Sequence, residues 1–345
     1  MQTLKITKPD DFHLHLRDGA EMKSVVADSA RQFARAIVMP NLKPPIVTTQ
    51  QALDYRSRIL KSLPDNSAFQ PLMTLYLTDD TSPDEITRAK QTGHVFGVKY
   101  YPAGATTNSE NGVTSIENVY SVLERMSEVN MPLLVHGEVT DDDVDMFDRE
   151  QVFIERVLAP LIERFKQLRV VFEHITTRQA ADFVINGPDI LAATITPQHL
   201  LLNRDALYSG DNMNPHHYCL PVLKAEEHRQ AVVSAATSGH PRFFLGTDSA
   251  PHAKSKKESE CTCAGIYSAH SAIELYASIF EQAGHLELLE PFSSYFGADF
   301  YGLPRNETTI TLVKEEWTIP ATLPFGEDKI VPFYADQRCQ WKLLE

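Results

Sequence analysis

A regular alternation of two kinds of segment along the chain is the feature that most constrains its fold. Short runs of apolar and β-branched residues, typical of buried strands, alternate with longer stretches in which apolar residues recur at helical spacing. Such alternation favours a parallel sheet with helices packed on its faces, so the sequence predicts an α/β protein. The predicted strands cover residues 11–16, 34–40, 70–77, 95–101, 132–138, 169–175, 189–196 and 242–248.

Helices are predicted between these strands. They lie near residues 21–33, 49–62, 83–91, 116–129, 149–167, 177–186 and 225–238. The third begins at Ser82-Pro83-Asp84-Glu85, which combines a capping serine, a proline at the first helical position and acids in the first turn. Eight strands, nearly all followed by a helix, predict a (β/α)8 TIM barrel. An open doubly wound sheet is the alternative, but no Gly-x-Gly-x-x-Gly motif follows the first strand.

The composition suits one large soluble domain. The chain has 345 residues, of which 43% are hydrophobic, and no internal repeat or linker divides it. We therefore expect a single domain over residues 1–345, with the tail from about 305 to 345 packed on the barrel as a short C-terminal extension. The formal net charge of −14 argues against nucleic acid or an anionic membrane as the main partner. With no leader and no long apolar run, a cytoplasmic location is expected.

The cysteines do not indicate a disulfide framework. There are four in the chain: Cys219, Cys261, Cys263 and Cys339. Four are too few for a chain of this length, and Cys-Thr-Cys is tighter than the usual zinc-knuckle spacing. We expect free thiols.

The stretch DDFHLHLRD, residues 10–18, contains two histidines separated by one residue. On a strand, alternate side chains share a face, so His13 and His15 should project together while Phe12 and Leu14 pack the other way. A His-x-His pair alone is only a weak indication of metal binding, because two histidines on a half-buried strand are more often structural. Its meaning depends on what the other strand ends supply.

The other strand ends supply further ligand types. Lys99 ends the fourth predicted strand, His136 the fifth, His174 the sixth and Asp248 the eighth. Because barrel active sites lie at the carboxyl ends of the strands, these side chains should meet on one rim. Four histidines and an aspartate on one rim indicate a metal site, and imidazole and carboxylate ligands suit zinc.

Lys99 is unusual in this set because an ammonium group would repel metal ions. One interpretation is a core lysine paired with a nearby acid. The other is carboxylation of the amine by CO2, which gives an anionic carbamate (N6-carboxylysine) able to bridge two cations. The sequence leaves both interpretations open.

Several motifs together resemble one family. They are FHLHLRD, MPNLKPP, VKYYPAGATTNS, VHGE, FEHITT, NPHHYCLPVLK and GTDSAPH, and they extend from about residue 10 to residue 300. The chain resembles the class II dihydroorotases, the short bacterial type within the amidohydrolase superfamily. The resemblance implies reversible hydrolysis of the cyclic amide of dihydroorotate to N-carbamoyl-L-aspartate, a step of de novo pyrimidine synthesis.

The same resemblance implies the metal ligands. Two zinc ions are expected, one held by His13, His15 and Asp248 and the other by His136 and His174, with carboxylated Lys99 bridging both. A hydroxide between the metals would be the nucleophile, since zinc lowers the pKa of bound water to about 7. Asp248 would act as general base and then as general acid.

Substrate contacts and assembly are also implied by the resemblance. Arg17, Asn41 and His252 match residues that hold the substrate carboxylate, and a guanidinium suits that task. Leu220 and Ala264 match positions whose backbone groups face the pyrimidine ring. The loop from residue 103 to 109 matches a mobile lid, with Thr106 and Thr107 closing over the substrate. A homodimer is expected.

Two other functions are alternatives. A dihydropyrimidinase or hydantoinase would use a similar metal site, but those relatives usually carry a long β-rich segment before the His-x-His pair and need no Arg17-type clamp. A metal-free homologue acting as a scaffold is the non-enzymatic alternative. The presence of all six ligand residues favours an enzyme.

Overall fold

An eight-stranded parallel sheet lies at the centre of the computed structural model, which describes residues 2–210, 212–260 and 262–344. We label its strands β1 to β8 in chain order. They are Asp10–Leu14, Arg35–Val38, Gln70–Tyr76, Val95–Tyr100, Leu133–Val135, Val170–Phe172, Leu191–Ile195 and Phe243–Leu245. Each predicted strand is present, and all eight end one to three residues earlier than predicted.

The sheet closes on itself at the carboxyl ends of its strands. Each strand pairs in parallel with the next one along the chain, from β1 to β8. The segment after β8 then returns to β1: Asp248 N donates to His13 O at 2.9 Å, and His15 N donates to Ser249 O at 3.1 Å. The prediction of a (β/α)8 barrel is therefore confirmed, and the last seam of the barrel joins two candidate ligand segments.

Helices cover the outside of the barrel. They are Gly19–Gln32, Thr49–Ser62, Pro83–Gln91, Tyr120–Glu128, Arg149–Phe153, Ala159–Arg164, Arg178–Asn186, Pro197–Leu201, Glu226–Ala236, Lys254–Lys257, Ala272–Gln282 and Phe296–Tyr301. The predicted helix over 149–167 is interrupted by a π-helical turn at Ile154–Leu158. The predicted cap is present, because the Ser82 side chain accepts a hydrogen bond from Glu85 N. The helices after β8 were not predicted.

The lower part of the barrel interior is filled by apolar side chains from all eight strands. They are Phe12, Ile37, Leu72, Phe96, Leu134, Val171, Ala192 and Phe244. The Phe12 ring lies 5.1 Å from Phe244 and 5.2 Å from Tyr301 of the last helix. That helix approaches closely at Gly297, where a Cβ atom would lie 2.1 Å from Phe12 Cε2. This packing closes the barrel at the end opposite to the candidate site.

The first strand contains an irregularity that corrects one prediction. Its pairing register with β2 shifts between Asp11 and Leu14. Phe12 and Leu14 do not share a face: Phe12 packs in the barrel interior, while Leu14 belongs to the core between barrel and helices. A bulge inserts one extra residue and interrupts the alternation of side chains along the strand. As a result the consecutive residues Phe12 and His13 both point to the inside of the barrel. The expected common orientation of His13 and His15 is preserved.

The C-terminal tail forms a small antiparallel sheet with the N-terminus. Strand Thr309–Thr318 pairs with Thr3–Thr7 on one side and Arg338–Leu343 on the other. Trp341 is fully buried in the main core. Two short hairpins complete the strands: Tyr208–Ser209 with Asn212–Met213, and Leu323–Phe325 with Asp328–Ile330.

Two further sequence predictions concern the whole chain. Cys219, Cys263 and Cys339 are free thiols, as expected, and Cys261 lies outside the described residues. Within the described ranges, no helix combines the length and the apolar character needed to cross a membrane.

Candidate active site

A small cavity at the carboxyl ends of the barrel strands contains most of the predicted site residues. Its volume is about 20 Å³, which is room for little more than one water molecule. Its lining is His13, His15, Arg17, Asn41, Tyr101, Thr106, Thr107, His136, His174, Leu220, Asp248, Ala250, Ala264 and Gly265. Of the predicted residues, Lys99 lies buried below the cavity and His252 lies at its side, where a larger outer cleft of about 530 Å³ begins.

Three side chains converge tightly in this cavity. His13 Nε2 lies 3.3 Å from His15 Nε2 and 3.4 Å from Asp248 Oδ1, and His15 Nε2 lies 3.1 Å from the same oxygen. All three residues are buried, and their ligand atoms lie within 4.8 Å of one another. Burial lowers the pKa of both histidines, and the neutral imidazole is the form that binds metal. This group fits a divalent metal.

The carboxylate of Asp248 is held in its ionised form. Burial raises its pKa, but the neighbouring His13 and the hydrogen bond from His15 outweigh burial and lower the pKa to about 2. Asp248 therefore carries a negative charge at neutral pH and can accept a proton or bind a cation.

His136 and His174 form a second pair beside the first group. Their ring centroids lie 4.9 Å apart, and the ring of His174 lies 5.0 Å from that of His13. His174 Nδ1 is buried and has no hydrogen-bond partner among the described residues, while His136 Nε2 contacts Glu138 Oε2 at 2.9 Å. Burial lowers the pKa of His174 well below its ordinary value. Both imidazole rings line the same cavity, and the lowered pKa of His174 favours its neutral, metal-binding form.

Lys99 reaches the metal-ligand region from below. It is fully buried, its Nζ has no hydrogen-bond partner among the described residues, and this nitrogen lies 5.0 Å from the centre of the Tyr101 ring. Burial lowers the pKa of its ammonium to about 8, although Glu173 and Asp248 oppose the shift. A buried ammonium without an acceptor is costly, so this position is better suited to a modified or neutral amine.

Arg17 and His252 lie together at the side of the cavity. Arg17 Nε donates to Pro251 O at 2.8 Å, and its Nη2 lies 2.9 Å from His252 Nε2. His252 Nε2 also lies 3.0 Å from Ala264 O. A single nitrogen cannot accept from Arg17 and donate to Ala264 at once, so only one of these contacts is a hydrogen bond in a given tautomer. Asn41 Oδ1 contacts His15 Nδ1 at 2.8 Å and links this side to the ligand group.

The loop after β4 lies across the cavity. Thr107 Oγ1 donates to Ala264 O at 3.1 Å, and Asn41 Nδ2 donates to Thr107 O at 3.2 Å. Asn108 Nδ2 returns a hydrogen bond to Asn41 O at 2.9 Å. Thr106 is fastened within the loop, since its N–H donates to Ser109 Oγ at 2.8 Å. The loop thus bonds to two predicted substrate-contacting residues, Asn41 and Ala264, and accounts for the small size of the cavity.

The chain is similar to known dihydroorotases over almost its whole length. No family model matches the chain. A dihydroorotase from Nitrosomonas europaea is 64% identical over 342 residues, which are 99% of this chain and 98% of the relative. A dihydroorotase from Methylobacillus flagellatus is 62% identical over 343 residues, covering 99% of both chains. The chain belongs to the dihydroorotase family.

Solved structures of dihydroorotases agree with this assignment. The crystal structure of the Saccharomyces cerevisiae dihydroorotase in complex with 5-fluoroorotic acid has a TM-score of 0.92 and 35% identity, covering 100% of this chain and 99% of that one. The L-hydantoinase from Arthrobacter aurescens has a TM-score of 0.79 but only 14% identity over 99% of this chain and 83% of that one, which shows the shared fold alone. The family prediction is confirmed over the alternative hydantoinase interpretation.

Two carboxylates near the ligands of this dihydroorotase-family site were not predicted from sequence. Glu173 Oε2 lies 2.9 Å from His13 Nδ1 and accepts a hydrogen bond from Thr194 Oγ1 at 2.5 Å. Glu138 contacts His136, as described above. Both are buried acids next to a predicted ligand: Glu173 directly precedes His174 and Glu138 follows His136 by two residues, each within a strand predicted from the sequence. That placement is the signal that could have identified them, since buried acids are rarely unpaired.

The backbone departs from regular strand geometry at three site residues. The φ angles of Arg17, His174 and Asp248 are +59°, +43° and +44°, in the left-handed region that costs a non-glycine residue about 1 kcal/mol or more. The turn at His174 has a clear consequence: Glu173 and His174, although consecutive, both face the site. In a regular strand one of the two would have pointed into the surrounding helices.

Proposed function

We propose that this member of the dihydroorotase family hydrolyses dihydroorotate reversibly to N-carbamoyl-L-aspartate, using two zinc ions held at the barrel rim. The observation that carries the proposal is that five of the predicted ligands line one small cavity, with the sixth, Lys99, fully buried outside its lining. His13, His15 and Asp248 meet within hydrogen-bond distance, and the rings of His136 and His174 adjoin them. Lys99 Nζ lies 5.0 Å from the centre of the Tyr101 ring, and Tyr101 lines the same cavity.

The residues present fit a pair of metal ions. His13, His15 and Asp248 would hold one zinc, His136 and His174 the other, and a carboxylated Lys99 would contribute an oxygen to each. The buried Lys99 Nζ and His174 Nδ1, both without partners among the described residues, support this assignment because buried polar atoms normally have one. When bound, zinc supplies an activated water and polarises the carbonyl oxygen of the ring amide.

Asp248 is proposed to act as the general base and then as the general acid of this reaction. Hydrolysis forms a bond between the water oxygen and the amide carbon and breaks the bond from that carbon to the ring nitrogen, which must gain a proton. An ionised carboxylate at this position can take the proton from the attacking water and deliver it to the leaving nitrogen. Ring closure in the biosynthetic direction uses the same groups in reverse.

Arg17, Asn41 and His252 are proposed to hold the carboxylate of the substrate. Arg17 is half-buried, and its guanidinium is held in place by the bond from Nε to Pro251 O, so it can form charge-assisted hydrogen bonds to an anion. A carboxylate at this position would accept hydrogen bonds from Arg17 and from His252 together. Arg17 Nη2 and Ala264 O would then no longer compete for His252 Nε2. The backbones of Leu220 and Ala264 would face the ring, and Thr106 and Thr107 would exclude water when the loop is closed.

The cellular setting follows from the proposed reaction. A step of de novo pyrimidine synthesis requires a small-molecule substrate and neither nucleic acid nor membrane. From the resemblance to the class II dihydroorotases, we further propose a homodimer and a cytoplasmic location.

The experiment measures the zinc content and the substrate range of protein purified without chelator. We expect about two zinc ions per chain by elemental analysis, ring closure of carbamoyl aspartate, and far weaker opening of dihydrouracil and hydantoin. Asp248→Asn should abolish turnover while the protein still folds. Turnover of the rings without a carboxylate equal to that of dihydroorotate would overturn the substrate assignment, and zinc content well below one per chain in active protein would overturn the metal assignment.

A further inference from the structure

We infer that Lys257 is a positioning residue of this active site, because it holds the segment around Ala264 in the conformation that meets the substrate and the loop. Lys257 does not line the cavity and belongs to the short helix Lys254–Lys257. The inference rests on the proposed function, because the proposed function is what assigns Ala264 to substrate contact and loop closure.

Three backbone carbonyls converge on the Lys257 ammonium. Nζ donates to Tyr218 O at 2.9 Å, to Cys263 O at 2.9 Å and to Gly265 O at 2.7 Å. An ammonium group has three N–H donors, so its hydrogen-bonding capacity is fully used. The side chain is only 4% exposed, which makes each of these charge-assisted bonds strong. The lysine thus joins two separate segments of the chain.

The carbonyl between two of these acceptors points to the active site. Cys263 O and Gly265 O bond to Lys257, whereas Ala264 O accepts from Thr107 Oγ1 of the loop at 3.1 Å and lies 3.0 Å from His252 Nε2. Successive carbonyls along the segment therefore alternate between the lysine and the cavity. Fixing the two flanking carbonyls fixes the direction of the Ala264 carbonyl, and with it the site at which the loop binds.

The second segment held by Lys257 leads to Leu220. Tyr218 O, two residues earlier, accepts from Lys257 and also from Gly265 N at 3.0 Å. Gly265 has a φ of +144°, and a Cβ atom there would lie 2.9 Å from Ala250 Cβ and from His252 Cδ2. The two backbone segments that face the proposed ring position are therefore packed closely and share the lysine as their common donor.

A purely structural role is the competing explanation. Burial of an ammonium is unfavourable, and it lowers the pKa of Lys257 to about 8. An apolar side chain of similar length would fill the same space without that cost, but it would leave Cys263 O and Gly265 O without a donor among the described residues, while Tyr218 O would keep only its bond from Gly265 N. The two roles differ in their kinetic signature, because a structural role predicts loss of stability alone, whereas positioning predicts weaker substrate binding in folded protein.

The test compares Lys257→Met, Lys257→Arg and the control Lys8→Gln in the full-length zinc enzyme. Lys8 is half-buried and donates to Ala30 O at 3.1 Å, outside the cavity lining. For Lys257→Met we expect KM for dihydroorotate to rise about tenfold or more, as loss of a charge-assisted hydrogen bond predicts, with a smaller change in kcat. Lys257→Arg should show a smaller rise in KM than Lys257→Met. Lys8→Gln should leave KM unchanged even if it lowers the melting temperature of the protein.

A double-mutant cycle with Thr107→Val adds a readout that a structural role does not move. If Lys257 aims the Ala264 carbonyl at Thr107, then Thr107→Val should reduce kcat/KM clearly in the parent and little further in Lys257→Met. Fully additive losses, or an unchanged KM in folded Lys257→Met, would overturn the inference. If Lys257→Met does not fold, the same cycle with Lys257→Gln decides between the two outcomes.

Failure of the proposed function can be told apart from failure of this inference. If the parent protein itself does not turn over dihydroorotate, the function is wrong. Amide hydrogen exchange in the segment 262–266 then still tests the lysine: faster exchange in Lys257→Met than in the parent, with Lys8→Gln unchanged, supports the anchoring, and equal exchange overturns it.

Discussion

Glu173 Oε2 lies 2.9 Å from His13 Nδ1, while His13 Nε2, across the imidazole ring, faces Asp248 Oδ1 at 3.4 Å. A carboxylate acceptor at Nδ1 keeps the proton on that nitrogen and leaves Nε2 free to bind metal. The same carboxylate is held by Thr194, so the ring orientation is set by the barrel itself. Glu173 therefore controls both the tautomer and the direction of a proposed zinc ligand.

Replacement of Glu173 by glutamine should weaken metal binding. The amide keeps the shape of the side chain but loses the charge that stabilises the Nδ1 proton, and such changes typically cost ~10–100-fold in metal affinity or activity. Zinc retention against a competing chelator measures the effect. Glu274→Gln is a matched control. Glu274, on the helix Ala272–Gln282, is equally buried, but it pairs with Arg31 of the helix Gly19–Gln32. Equal zinc retention in both variants would contradict the role of Glu173.

Removal of the Lys99 side chain should abolish activity in a way that small carboxylic acids can repair. Lys99→Ala leaves space where the proposed carbamate stood, so acetate or propionate can supply a bridging carboxylate. We expect turnover to be lost and then partly restored by millimolar acid. Lys99→Met is the control, because it fills the space and should not be rescued.

The carbamate itself can be detected independently. Protein equilibrated with isotopically labelled bicarbonate should take up one label per chain in the parent and none in Lys99→Met. Full activity of Lys99→Ala without added acid would show that the carbamate is not needed.

Substitution of Arg17 should change substrate choice more than overall catalysis. A hydrogen bond to a charged group contributes about 1.5–3 kcal/mol, so Arg17→Met should lower kcat/KM for dihydroorotate by ~10–100-fold. Opening of dihydrouracil, which has no carboxylate, should be nearly unaffected. Arg58→Met serves as control because Arg58 is exposed and pairs with Asp18 in the outer cleft. Equal losses on both substrates would mean that Arg17 does not read the carboxylate.

The barrel was predictable because parallel strands are buried on both faces and read as apolar runs. The strand ends were less so. Strands β5, β6 and β8 stop after three paired residues, and His136, His174 and Asp248 lie just beyond them. That these side chains would meet at one rim could be predicted from the sequence, because a residue at the carboxyl end need only follow a strand and does not have to be paired within it.

The features that were missed depend on irregular backbone or on distant packing. The bulge at Phe12 and the positive φ of His174 break the period of two on which strand predictions rest, and Glu173 was overlooked for that reason. In the helix Ala272–Gln282, every residue from Ala272 to Phe280 is buried. Its polar residues Glu274 and Ser278 are buried as well, so they do not mark a side of the helix that faces solvent. Lys257 lies in a charged segment whose composition predicts an exposed side chain, and its burial depends on the tertiary structure.

The loop over the cavity provides the last prediction. Thr107 Oγ1 is bonded to Ala264 O at 3.1 Å, and a hydrogen bond of this kind contributes about 0.5–1.5 kcal/mol. If it stabilises the closed loop during turnover, Thr107→Val should reduce kcat/KM by ~2–10-fold, and Thr106→Ala combined with Thr107→Ala should reduce it further. Thr107→Ser keeps the hydroxyl and should remain close to the parent. Steady-state kinetics on dihydroorotate separate these variants. Unchanged turnover in the double alanine variant would remove the lid role, because a loop that closes over the substrate cannot lose both side chains without effect.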